Sequence, residues 1–186
     1  MIYPIVVYGS PILRQIAKEI KAGDYPNLKT LISDMYDTMH KSDGMGLAAP
    51  QIGKSIRIFV VDATSLVEED PSLKDFKKTF INPKLQVLGE ETILMNEGCL
   101  SIPKIREDVP RHNRLKITYY DEDWNYFEEE YDGLKARVIQ HEYDHLDGVL
   151  FIDKISPLRK KLLKGKLNDI TRLKVDNLPY KIKVIK

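Results

Sequence analysis

Two histidines four residues apart, with a glutamate beside the first, stand in the segment Gln140-His141-Glu142-Tyr143-Asp144-His145. On a helix, positions i and i+4 lie one turn apart on one face, so His141 and His145 can reach a single cation. Glu142 stands where it can take a proton from a water at that cation. A bare H-E-x-x-H also arises by chance on protein surfaces, so the pattern needs a third ligand. The metzincin arrangement does not supply one. Gly148 falls in place, but Phe151 stands where the distal histidine belongs. Beyond His145 the chain holds no Glu, His or Cys, and the upstream His40 and His112 have no companion motif.

The single cysteine, Cys99, lies in Glu97-Gly98-Cys99-Leu100-Ser101. A lone cysteine is usually a small buried hydrophobe. Here Gly98 permits a close backbone approach, and Asn96, Glu97 and Ser101 make the setting polar. One thiolate with two imidazoles makes a three-ligand set with a fourth position left for water, the pattern of a catalytic site. A further segment, Gly44-Met45-Gly46-Leu47-Ala48-Ala49-Pro50-Gln51-Ile52-Gly53, has little side-chain bulk and suits the close passage of a peptide. Gln51 is either a loop cap or an amide donor to a developing oxyanion.

These three segments together resemble the peptide deformylases, which carry G-x-G-L-A-A-x-Q, E-G-C-L-S and Q-H-E-x-D-H in that order. The chain has them intact as Gly44–Gln51, Glu97–Ser101 and Gln140–His145, and the similarity extends to Asn82-Pro83 and Val109-Pro110-Arg111. It departs in Thr64 to Lys78, longer than a minimal member needs, and in the tail from Asp176. The resemblance implies a metal held by Cys99, His141 and His145, with Glu142 as proton acceptor. It further implies hydrolysis of the N-formyl group of N-formylmethionyl nascent peptides, with the oxyanion met by the Gln51 amide and the Leu100 backbone N–H. Iron(II) is the native metal implied, with zinc, nickel or cobalt able to take its place. The ligand types alone do not choose, because a Cys-His-His set also suits zinc. Two rivals stay open. A zinc endopeptidase or other amidase would cleave internal peptide bonds and have no need of Cys99. A non-enzymatic, ribosome-associated metal module would leave Glu142 dispensable.

The elements that must position these groups are legible from pattern. Leu134, Val138, His141 and His145 fall at i, i+4, i+7 and i+11, so an apolar stripe runs into the ligands, between Asp132-Gly133 and Asp147-Gly148 as helix ends. Leu134 and Val138 then wall an apolar slot suited to an unbranched thioether side chain. The resemblance adds Met45, Gly46 and Met95 to that pocket and places Arg106 near the peptide backbone or terminus. Asn27 caps a helix to about His40, with Leu28, Leu31, Ile32, Met35 and Met39 on one stripe. Ile56 to Asp62 reads as a buried strand, and Lys78 to Leu88 as another that Asn82-Pro83 bends or places at an edge. Leu115 to Asp121 and Tyr126 to Tyr131 read as a hairpin around Asp123-Trp124-Asn125. Ser156-Pro157 opens a last helix to about Leu173, with Leu158, Leu162, Leu163, Leu167 and Ile170 expected toward the body. The fold expected is α+β, with mixed or antiparallel sheets around a central metal-binding helix and helices toward both termini.

A chain of 186 residues is read as one domain, residues 1–186, with 154–186 as a basic helix and tail. From Lys154 onward there are eleven Lys or Arg against two Asp, a balance of +9; the whole chain is +1, so the preceding residues carry −8. A basic tail on an acidic body points to an anionic partner or else to a solvated helix face, and the resemblance, with its nascent-chain substrate, implies the ribosome as that partner. There is no basic n-region before the apolar start and no run near the ~20 apolar residues of a membrane span. The expectation is a cytoplasmic chain, without a DNA or membrane partner, in a compartment that keeps a thiol ligand reduced.

Overall fold

A computed structural model describes residues 1–186. In chain order it contains β1 (Ile5–Val6), α1 (Leu28–Lys41), β2 (Gly46–Ala48), β3 (Ile58–Asp62), β4 (Lys77–Cys99), β5 (Ile102–Tyr120), β6 (Tyr126–Asp132), α2 (Gly133–Leu146), α3 (Pro157–Leu162), α4 (Lys164–Thr171) and β7 (Ile182–Lys183), with short 3₁₀ turns between. The main sheet is antiparallel throughout, in the order β2-β3-β4-β5-β6. A second, parallel pair joins β1 to β7 near the two ends of the chain. The α+β expectation holds.

Strand β3 is apolar at four successive positions because both of its faces are covered. Successive side chains alternate across a strand. Ile58 and Val60 therefore join the core built by α1, where Leu28, Leu31, Ile32, Met35 and Met39 are all buried. Phe59 and Val61 point the other way, to Ala136, Ile139 and Leu146 of α2. The neighbouring β2 splits likewise, Leu47 toward α1 and Ala48 toward α2. This sandwich fixes α2 against the sheet and with it the two histidines. The side chain of Asn27 caps nothing, although the predicted helix forms as expected.

Strand β4 runs eleven residues beyond the predicted Leu88, and β5 begins well before the predicted Leu115. They form one long hairpin, with Cys99 opposite Ile102 at its tip. Asn82, at φ 48°, bends β4 where its pairing with β3 ends and its register with β5 shifts. From there β4 pairs with β5 alone, and past Leu88, where the pairing of β5 with β6 ends, the two strands run on as a two-stranded arm that folds back on α2. The added stretch of β5 alternates regularly, with Ile105, Glu107, Val109 and Arg111 buried. Two of the four are charged, so hydrophobic alternation does not reveal the strand.

Between β3 and β4, the long stretch Thr64–Lys78 makes two 3₁₀ turns and tucks Leu73 and Phe76 into the core on the α2 side. The predicted last helix is broken into α3 and α4 at Leu163. Leu163, Leu167 and Ile170 are buried as expected, but Leu158 and Leu162 are each about two-thirds exposed, at 67% and 66%. At 100° per residue those two leucines sit on a different side from the buried three, so no single face could bury all five.

Candidate metal centre and peptide pocket

Helix α2 begins at Gly133 and ends before Gly148, whose φ of 71° takes the chain off the helix. The tip of the β4–β5 arm brings Cys99 to its last turns. One donor atom from each of Cys99, His141 and His145 lies within 4.8 Å of the other two, and Cys99 Sγ is 3.2 Å from His145 Nε2. A soft thiolate and two imidazoles fit a borderline divalent ion such as zinc or iron(II). The spacing fits three ligands on one ion, because donors about 2.0–2.3 Å from a tetrahedral centre stand roughly 3.3–3.8 Å apart.

Around the three donors lies a network that the motifs only hint at. Glu97 accepts His141 Nδ1–H at 2.9 Å, two bonds from Arg111 at 2.6 and 2.9 Å, and one from Arg137 at 2.7 Å. Arg111 also reaches Asp144 at 2.6 Å, and Arg137 reaches the Val109 carbonyl at 2.7 Å. Burial would raise the Glu97 carboxyl, but the bonds from His141 and Arg111 outweigh it and hold it well below the usual range. With Nδ1 committed to Glu97, His141 turns Nε2 toward the centre. Burial would lower the pKa of His141, but its bonds to Cys99 and Glu97 raise it instead. Such a ring is the stronger ligand once its proton is displaced. His145 goes the other way: burial, and the charges of His141 and Arg111, hold it well below its ordinary value, in the neutral form that a metal needs. Sequence reasoning missed Glu97 as an orienting group. The signal available was its place two residues before Cys99, on the same side of β4.

Glu142 is 4% exposed, and its Oε2 has no hydrogen-bond partner. Burial pushes its pKa up to about 7, with His141 and Arg111 pulling against that and Glu97 and Asp144 adding to it. Two nearby carboxylates are thus driven apart, Glu97 down and Glu142 up, which is the division expected between an orienting anion and a proton carrier. Gly46 packs directly on Glu142: a Cβ there would lie 2.7 Å from Glu142 Cδ. The small residue is required because the carboxylate lies against the β2 backbone.

Gln51 is buried, and its two amide atoms face opposite ways. Its Oε1 accepts the Ala48 N–H at 2.8 Å and so caps its own loop. Its Nε2 donates to Ser101 Oγ at 3.2 Å and faces Cys99 Sγ at 3.6 Å. A cavity of about 340 Å³ opens beside these groups. Met45, Gly46, Met95, Leu100, Arg106, Leu134 and Val138 all line it with Gln51, Cys99, His141 and Glu142, while His145 is buried beside Cys99 and does not reach the cavity wall. Arg106 is held at its rim by Asn96, at 2.8 Å. Tyr180, from the tail, also lines the cavity and was missed.

Residues 2–161 match the polypeptide deformylase family model. The chain belongs to that family. It is 53% identical over 178 residues to the peptide deformylase of Flavobacterium johnsoniae, covering 92% of this chain and 90% of the relative. Its identity to that of Flavobacterium psychrophilum is 50%, over 100% of this chain and 98% of the relative. A solved peptide deformylase from Legionella pneumophila superposes with a TM-score of 0.81 at 36% identity, covering 95% of this chain and 99% of that one. Neither rival reading, endopeptidase or non-enzymatic module, is favoured by these likenesses.

Proposed function

We propose that the chain hydrolyses the N-formyl group of N-formylmethionyl peptides and releases formate. One observation carries this reading: a cluster of three metal-type donors and a buried, unpartnered carboxylate stand together at a pocket whose open lining is mostly apolar. Cys99, His141 and His145 hold the divalent metal, and when bound it supplies Lewis acidity to the formyl carbonyl and to the attacking water. Glu142 takes the proton of that water and returns it to the departing amine. The Gln51 amide and the Leu100 N–H donate to the oxygen on which charge develops. Leu134, Val138, Met45 and Met95 hold the methionine side chain, and Arg106 at the rim meets the peptide beyond it.

Iron(II) is the native metal in this reading, carried over from the family resemblance, and zinc, nickel or cobalt can replace it, since the thiolate–imidazole set does not itself choose among them. No helix is long and apolar enough to cross a membrane. The proposed compartment is the cytoplasm, where a thiolate ligand stays reduced. The ribosome is the proposed partner of the exposed Lys161, Lys164, Lys166 and Arg172 on α3–α4, by contact with RNA phosphate.

The test is anaerobic purification with metal analysis, followed by formate release from a formyl-Met peptide. Cys99→Ala is expected to lose most metal and all turnover. Glu142→Ala is expected to keep the metal and lose at least ~10²-fold in rate. Full turnover by Glu142→Ala, or cleavage of internal peptide bonds in place of formate release, would sink this reading.

A further inference from the structure

The tail beyond residue 161 lies outside the matched family segment, yet one of its side chains stands in the site. Strand β7 lays Ile182 and Lys183 beside Ile5 and Val6. The carbonyls of Lys181 and Lys183 accept the N–H groups of Ile5 and Val7 at 2.8 and 3.0 Å. Farther on, Ile185 N–H donates to Ser10 Oγ at 3.0 Å. Ile182 and Val184 pack against the core around Leu150, Phe151 and Ile152. Just before this anchored stretch, Tyr180 turns inward. Its side chain packs on the α1-side core, its hydroxyl donates to the Leu100 carbonyl at 3.1 Å, and it lines the same cavity as Cys99, Gln51 and Glu142.

That carbonyl belongs to the Leu100–Ser101 peptide, in the turn at the tip of the β4–β5 arm. The turn is held at three points. Tyr8 N–H reaches the Ser101 carbonyl at 2.8 Å, Gln51 reaches Ser101 Oγ at 3.2 Å, and Tyr180 reaches Leu100. The first two act on Ser101, and only the third acts on Leu100. Peptide units are planar, so the backbone of Leu100 has two soft dihedrals between its own N–H and its carbonyl. Fixing the carbonyl narrows the directions open to the N–H. We propose that Tyr180 is a positioning residue of the site: it holds Leu100 so that its N–H faces the substrate carbonyl, and it makes the C-terminal tail part of the pocket wall. The inference rests on the oxyanion role given to Leu100 above.

Tyr180→Phe keeps the ring and removes only the hydroxyl. In the metal-loaded protein, kcat for a short formyl-Met peptide is expected to fall about three- to tenfold, with KM within twofold of the parent and metal content equal. Amide hydrogen exchange at Leu100 and Ser101, measured without substrate, is expected to quicken severalfold. A tail that merely anchors the fold would lower stability and move neither reading. An unchanged kcat, or an unchanged exchange rate at Leu100, overturns the proposal. If the parent itself releases no formate, the functional reading fails instead, and the exchange measurement alone decides whether Tyr180 holds Leu100.

Discussion

Helix α2 and the α3–α4 pair both set cations of a helix against carboxylates of the sheet arm, at opposite extremes of burial. On α2, Arg137 and His141 meet Glu97, and Arg111 completes the set; all four side chains are about one-tenth exposed or less. On α3, Arg159 pairs with Glu107 through two bonds of 2.8 Å, but its own side chain is 57% exposed. Lys160 and Lys154 reach Asp153 and Asp144 with side chains that are likewise well exposed, at 44% and 35%. The basic tail thus finds part of its anionic partner on its own acidic body. In the dry network every charge is matched in direction, because an unmatched one would be very costly; in the wet one, water competes for each pair. The first kind of pairing fixes the geometry of a ligand, and the second only tethers a segment.

Removing Glu97 breaks the comparison at its most expensive point. Glu97→Ala leaves two arginines and a histidine facing one another without their anion. The expected cost is about 3–5 kcal/mol in stability, read as a lower urea midpoint, with metal affinity down ~10–100-fold. A variant as stable and as metal-loaded as the parent would show that the network is dispensable. Next in size is Gly46→Ala, whose new Cβ must push Glu142 aside or shift β2. Overpacking is expected to cost about 1–3 kcal/mol. Turnover should fall far more than metal content, and a fully active Gly46→Ala would mean that the place of Glu142 is not critical. The wet side should respond differently. Reversing Lys161, Lys164 and Lys166 to Glu, and leaving the paired Arg159 and Lys160 intact, should change stability by no more than about 0.5 kcal/mol. Hydrolysis of a short peptide should be unaffected, while any co-sedimentation with ribosomes at low salt should be lost. Undiminished co-sedimentation would leave the basic face as merely solvated.

The same contrast explains what the sequence could convey. His141, Glu142 and His145 stood out because H-E-x-x-H on a helix can turn two imidazoles toward one point, and Cys99 and Gln51 joined them through the order of three motifs that resembles the peptide deformylases. Helices α1 and α2 were legible because their inward stripes are apolar. The arm formed by β4 and β5 was underestimated because its inward positions include Glu97, Glu107 and Arg111, whose partners lie far along the chain. A charge at an inward position looks like a surface charge until the partner is known. The break at Leu163 and the outward turn of Leu158 and Leu162 escaped because leucine content was read without its helical phase. Tyr180 escaped because its only signal is a backbone carbonyl 80 residues away.

The smallest expected effect sits where the two regimes meet. Asp153 ends the 3₁₀ turn after α2 and binds Arg14, Lys160 at 2.8 Å and the Leu150 N–H at 2.9 Å. Burial would raise its carboxyl, but the bonds from Arg14 and Lys160 prevail and lower it to about 2. An unfolded aspartate titrates near ~3.9. Between those values the unfolded chain takes up a proton that the folded chain refuses, so acid favours unfolding through this group. Its contribution is whole above pH ~4 and fades as pH falls through about 2. Asp153→Asn keeps an oxygen for the Leu150 N–H and discards the charge. At pH 7 the variant should be less stable by no more than about 1 kcal/mol, since both cationic partners are well exposed. In urea titrations the gap from the parent should narrow as pH is taken from 5 toward the acid limit of folding. A gap that holds constant across that range would mean that the charge of Asp153 contributes nothing, and that its backbone bond alone secures the turn.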